Sequence, residues 1–212
     1  MVTGNNAAGT RKHKTIFICQ KTYFSPLTGA GGNKYNLLME KPLGFGDESD
    51  PAAVANVDTT VALTLAGARP VGASIDIVWV YPAQDIKRIL NQAVCTISVD
   101  VGAGVTFDDA SVTVGKYNVA TGAFTASGSE TWQTQPAAGA SGIEAVGATS
   151  RKYKILINDM TPMAIAIGER PAFRTRVWAR DTVGGVHGPI TLNHQRGRLD
   201  TYLVVDSLKE DV

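Results

Sequence analysis

Apolar residues recur at every second position through much of the chain. Ile75, Ile77, Trp79 and Tyr81 share one parity, with Asp76, Val78 and Val80 on the other. Cys95, Ile97, Val99 and Val101 repeat the pattern, as do Tyr153, Ile155 and Ile157, and then Met163, Ile165 and Ile167. A period of two is the signature of strands with one face on a core. The 75–81 stretch is apolar on both parities, which predicts a strand covered on both sides. Further strands are predicted at 15–20, 34–40, 58–65, 112–119, 123–127, 173–180, 189–194 and 201–206.

Turn chemistry separates these runs. Ala120-Thr121-Gly122 between two strands predicts a three-residue hairpin loop with glycine in the left-handed position. Asn158-Asp159 and Gly184-Gly185 mark further turns. One segment breaks the period: Ile86, Ile89 and Leu90 fall at i, i+3 and i+4 behind Asp85, which predicts a two-turn helix over 85–91. Ten to twelve short strands with at most one short helix predict an all-β, jelly-roll-like β-sandwich. The organisation read from this is a mobile basic arm at 1–13, then one β-sandwich domain over 14–212. Long loops are expected at 41–57 and 133–150, where Pro, Gly, Ala and Ser dominate.

Composition narrows the function. Hydrophobic residues are 44% of the 212, enough for a large core, while charged residues are only 18%. That is below the usual share of about 25%, so much of the surface must be small, polar or docked. The net charge of +1 gives no bulk attraction for a polyanion. The charge is uneven, however. Residues 1–39 carry Arg11, Lys12, Lys14, Lys21 and Lys34 and no acid, whereas Asp206, Glu210 and Asp211 crowd the other end. No apolar run reaches the length that spans a bilayer, and the run at 16–19 is too short for a signal peptide, so a cytosolic origin is expected. Cys19 and Cys95 are read as buried thiols, with a single bridge between them as the alternative.

Candidate chemistry is sparse. There is no Gly-x-Ser-x-Gly elbow, and His13, His187 and His194 sit in unlike settings. Zinc spacing is missing, and Asp47-Glu48-Ser49-Asp50 lacks the alternate-position oxygens of a calcium loop. The glycines before Lys34 are not followed by Ser or Thr and a helix, so no phosphate loop is read there. No catalytic residue, cofactor or metal is expected, and the chain is read as a non-enzyme.

What stands out is one strand face. Arg174, Arg176, Trp178 and Arg180 share a parity opposite Phe173, Thr175, Val177 and Ala179. Such a face is either paired with cross-strand acids or an interface, since Arg and Trp are enriched where proteins meet. Polyanion contact is the third option. Arg196 and Arg198, in the connection before the last strand, add to the same basic region if the strands neighbour one another. Arg11, Lys12 and Lys14 form an arm that would order on assembly, along a protein or a nucleic acid.

The basic arm, the many short strands and the long Gly/Ala loops together resemble virion structural proteins. The likeness is to capsid, minor-capsid or decoration proteins of tailed phages and other double-stranded DNA viruses. Residues 111–127 and 171–206 resemble jelly-roll subunits in style. The resemblance implies homo-oligomeric assembly, as trimers or higher rings, with other virion proteins as partners, in particles built in the host cytoplasm. A carbohydrate- or receptor-binding β-sandwich of an attachment device is the alternative; it would use Trp132 or Trp178 as a stacking surface.

Overall fold

The computed structural model describes residues 10–20, 36–40, 59–61, 73–102, 107–134, 143–146, 150–180, 190–193 and 201–210. Among them there are strands and turns and no helix. The strands are β1 (Thr10–Gln20), β2 (Asn36–Glu40), β3 (Thr59–Val61), β4 (Ala73–Val80), β5 (Ile86–Val101), β6 (Phe107–Asn118) and β7 (Phe124–Ala126). They continue with β8 (Thr131–Thr134), β9 (Ile143–Val146), β10 (Ser150–Ile157), β11 (Met163–Ala164), β12 (Glu169–Arg180), β13 (Ile190–Asn193) and β14 (Tyr202–Glu210).

Eight of these strands form the frame, and their pairing is that of one long hairpin wound up. In chain order they are β1, β4, β5, β6, β8, β10, β12 and β14. The first pairs with the last, β4 with β12, β5 with β10 and β6 with β8, all antiparallel. Winding adds the contacts β14 to β5 and β12 to β6. One layer therefore reads β1–β14–β5–β10 and the other β4–β12–β6–β8. The link is β2, antiparallel to β1 and parallel to β4. This is an all-β, jelly-roll sandwich.

The inward parities meet between the layers. Phe17, Cys95, Ile97, Tyr153, Ile155 and Leu203 come from the first, and Ile75, Trp79, Val112, Phe173 and Val177 from the second; all belong to one buried cluster. The two-sided pattern of β4 has its counterpart outside the sandwich: Val80 packs in a smaller cluster with Tyr117 and Ala172. Cys19 and Cys95 are buried thiols that are not bridged to one another, and burial pushes the Cys95 thiol up, which keeps it protonated and inert.

Four expectations are corrected. The helix over 85–91 is the start of β5. Ile86 pairs with Lys209, Arg88 with Leu208, Ile89 with Ser207 and Ala93 with Val205, so β5 carries extra residues against β14 at two places. These bulges bring Ile86, Ile89 and Ala93, spaced by three and four, to the buried side. A bulged strand thus imitates helical spacing.

The arm, expected to extend through residue 13, gives way to strand at Thr10, where the basic end meets the acidic one. Thr10 lies opposite Glu210 and Lys14 opposite Asp206. Residues 1–9 lie outside the described residues. The loop expected at 133–150 contains β9, the end of β8 and the start of β10, because the ladder needs only backbone groups and small residues supply them. The loop at 41–57 lies outside the described residues. Finally, Ile167 does not follow Met163 and Ile165 inward. It sits at a turn closed by Glu169 N–H donating to the Ala166 carbonyl (3.0 Å), with Gly168 at φ 83°, and it is 97% exposed.

Candidate functional site

β12 runs between β4 and β6, so its outward side chains have neighbours on both sides. The register sets Arg174 between Val78 and Thr113, Arg176 between Asp76 and Ser111, and Trp178 between Ser74 and Asp109. One strand further on, Trp132 of β8 stands opposite Ser111. Phe173, Thr175 and Val177 point the other way and are buried. Alternation along β12 therefore does two jobs, filling the core with one parity and building a polar strip with the other.

The strip is an ordered chain of charges. Asp76 accepts from Arg174 Nε (2.6 Å) and Arg174 Nη2, and also from Arg176 Nε (3.0 Å). Arg176 Nη1 then reaches both oxygens of Glu130 (3.4 Å), and the Ser111 hydroxyl donates to Glu130 Oε1 (2.7 Å). The hydrogen bonds to Asp76 hold the Arg174 guanidinium above its ordinary range, against the opposing effect of burial. Two cations face two anions, and all four side chains are partly open to solvent. Individually such pairs stabilise little. Their collective effect is to fix the positions of the guanidinium groups.

An indole pair borders the strip. The Trp132 and Trp178 rings lie 4.4 Å apart, tilted by 42°, and the Arg176 guanidinium carbon is 5.8 Å from the Trp178 ring centroid. Trp178 is only 3% exposed, and Asp109 and Ser111 beside it are fully buried. The outward face of β6 is thus covered at this end, while Trp132 remains partly open.

The structure brings together Arg174, Arg176 and Trp178. Arg180 continues the same strand opposite Phe107, but its side chain is not among those described. Arg196 and Arg198 lie outside the described residues, as do His187 and His194. Arg11, Lys12 and Lys14 are exposed on β1, far from β12 in strand order, and Lys12 Nζ meets Asp206 Oδ2 at 2.9 Å. Sequence reasoning names the cations of the strip but misses the anions. Asp76 had a signal, an acid at the outward position between Ile75 and Ile77. Glu130, in the connection just before β8, had none.

Other polar groups are organised at the ends of the sandwich. Lys116 Nζ lies 2.8 Å from the Glu169 carboxylate, and Lys209 Nζ 3.1 Å from Asp85 Oδ2. Among the described residues no three His, Cys, Asp or Glu side chains gather in a way that could hold a metal ion. Among the same residues no helix is long and apolar enough to cross a membrane.

No protein-family model matches the sequence, and no curated protein does. Among solved structures, the chain is similar to one in the structure of infectious bursal disease virus Gx strain. The match covers all of this chain and 59% of that one, at 12% sequence identity and a TM-score of 0.25.

Proposed function

We propose that the chain is a non-enzymatic structural subunit of a virus particle, a capsid or capsid-decorating protein that works through contacts with copies of itself and with other virion proteins. A fold alone does not select a function. The observation that carries the reading is the outward strip of β12, where Asp76 and Glu130 hold Arg174 and Arg176 in one arrangement beside the Trp132–Trp178 pair. Arginine and tryptophan dominate the energetics of protein contacts. Side chains already fixed before contact lose less entropy on docking. A jelly-roll body supplies the rigid support that such a surface needs, with its interior filled by Trp79, Tyr153, Phe17 and Phe173.

The test is light scattering coupled to size-exclusion chromatography, run over a wide concentration range on the full chain and on Arg176→Ala and Trp132→Ala variants. A discrete oligomer that dissociates in the variants, without a change in far-ultraviolet circular dichroism, supports the proposal. A monomer at every concentration, which also fails to bind the virion proteins encoded beside it, overturns it. The carbohydrate-binding alternative relies on the same indoles. Trp178 is too covered to stack on a sugar, so glycan-array binding that depends on Trp132 would be its signature.

A further inference from the structure

The outward side of the layer β1–β14–β5–β10 carries an apolar row that crosses all four strands. Ile16 of β1 lies opposite Val204 of β14, Val204 opposite Val94 of β5, and Val94 opposite Leu156 of β10. Their chain neighbours Phe17, Leu203, Cys95 and Ile155 belong to the core, so these four point away from it. Leu156 is 56% exposed, and the other three are partly exposed. Cations border the row on both sides. On one side stand Lys14, one outward position before Ile16, and Arg88, which faces Leu208 two outward positions beyond Val204. On the other side stand Lys154 and Lys152, the next outward residues of β10. Lys14, Arg88 and Lys154 are exposed and Lys152 is partly so. Among the described residues, none of these four meets an acid within ion-pair distance, whereas the Asp206 carboxylate on the same face is taken by Lys12.

We propose that this face docks an acidic amphipathic helix of a partner protein, laid along the row with its apolar stripe on Ile16, Val204, Val94 and Leu156. Three gaps of about 4.8 Å give the row a length of about 14 Å, which matches about ten helical residues. A stripe at i, i+3, i+4, i+7 and i+8 covers that length and leaves both flanks of the helix polar. Acids on one flank meet Lys14 and Arg88, and acids on the other meet Lys154 and Lys152. A second copy of the same face would set like charges against each other, so an acidic partner is selected over self-pairing. Lysine reaches further from a sheet than valine does, so a flat anionic bilayer would touch the ammonium groups before the row. A nucleic acid would meet the charges and gain nothing from the apolar floor. The inference does not rest on the virion reading, and it concerns the layer opposite the β12 strip.

The experiment titrates the full chain with a labelled helical peptide of about fourteen residues, with Leu along the stripe and Glu on both flanks. Its lysine counterpart, phosphatidylserine vesicles and a single-stranded oligonucleotide serve as comparisons. Fluorescence anisotropy reads binding, and methyl NMR reads the place. The acidic peptide should bind and its lysine counterpart should not. Methyl signals of Ile16, Val94, Leu156 and Val204 should shift, while those of the core residues Ile97 and Val112 change little. Leu156→Glu alters an exposed position and should weaken binding by about tenfold or more, the loss expected for one leucine contact. Replacing Lys14 and Lys154 by Gln should weaken binding and flatten its salt dependence. The methyl map of the unaltered chain decides the matter even if a variant fails to fold. The proposal is overturned if the acidic peptide leaves those four methyl groups unmoved, or if a folded Leu156→Glu variant binds it unchanged. It is equally overturned if the vesicles or the oligonucleotide bind at this face while the peptide does not.

Discussion

The indole of Trp79 donates from Nε1 to Thr175 Oγ1 at 2.9 Å, deep between the two layers, with both residues fully buried. Thr175 is the polar member of an otherwise apolar inward row, Phe173, Thr175 and Val177. The bond explains its presence: a buried indole N–H needs an acceptor, and the neighbouring strand provides it. The Trp79 and Phe173 rings pack beside it, 6.5 Å apart.

Thr175→Val keeps the shape and removes this acceptor. It should destabilise the protein by about 1–3 kcal/mol, the usual penalty for taking away a buried partner. Thr175→Ser keeps the oxygen and should be milder. Combining Thr175→Val with Trp79→Phe should be less harmful than the sum of the single changes, because both polar groups then vanish together. Denaturant unfolding of the wild type and the four variants measures this. Equal effects of Val and Ser would mean that the bond carries no weight.

A second prediction concerns the β6–β7 hairpin. A Cβ on Gly115 would collide with the Thr125 carbonyl oxygen and come within 2.9 Å of the Phe124 ring. The partner strand is drawn in close because the loop is tightly tied. Asn118 N–H donates to Ala123 O, and Gly122 N–H to Asn118 O, both at 2.9 Å, with Gly122 at φ 73°. Gly115→Ala should therefore cost about 1–3 kcal/mol as β7 shifts outward. Hydrogen exchange should show faster opening of 115–126 before the rest of the sheet. Unchanged stability and exchange would contradict this.

How far these features are legible in the sequence depends on the range of the interaction. The period-two runs at 75–79, 95–101 and 153–157 fix strands because one pleat decides the face of every side chain. Gly122 marks its turn because only the local backbone matters there. Pairing partners are set by tertiary folding, so the acid opposite Arg174 and Arg176 cannot be read from 170–181 alone. The bulges in β5 are the sharpest case. Ile86, Ile89 and Ala93 satisfy a helical template, yet their spacing arises from register against β14, which lies more than a hundred residues away.

The polar strip predicts unequal coupling. Arg174 engages Asp76 through Nε and Nη2, a two-pronged contact, while Arg176 offers Asp76 only Nε and divides itself with Glu130. A double-mutant cycle for Asp76 with Arg174 should therefore give a larger coupling than one for Asp76 with Arg176. Both should stay within about 1 kcal/mol, since these groups are partly exposed and screened, and both should shrink in high salt. Asp76→Asn should behave like Asp76→Ala if charge is what matters. The reverse ranking, or coupling indifferent to salt, would show that the strip is not organised by Asp76.

The last prediction follows from the turn that carries Ile167. Burial by itself pushes the Glu169 carboxyl up. The hydrogen bond from Lys116, the Ala166 N–H at 2.9 Å and the Lys116 charge together outweigh it and hold Glu169 below the usual carboxylate range. A depressed value in the folded state means that the ionised carboxylate stabilises the protein wherever the unfolded chain is also ionised. That contribution is complete above about pH 5 and is lost as pH falls below the ordinary glutamate value of about 4.3 toward the folded one. Glu169→Gln cannot titrate, so the stability gap between wild type and variant should be constant near neutrality and should narrow in acid. Lys116→Met should also narrow the acid dependence, because it removes two of the three influences that lower the value. Parallel urea titrations from neutral pH down to about pH 3 would show this. A gap that stays flat across that range would mean that the Lys116–Glu169 contact does not brace the turn.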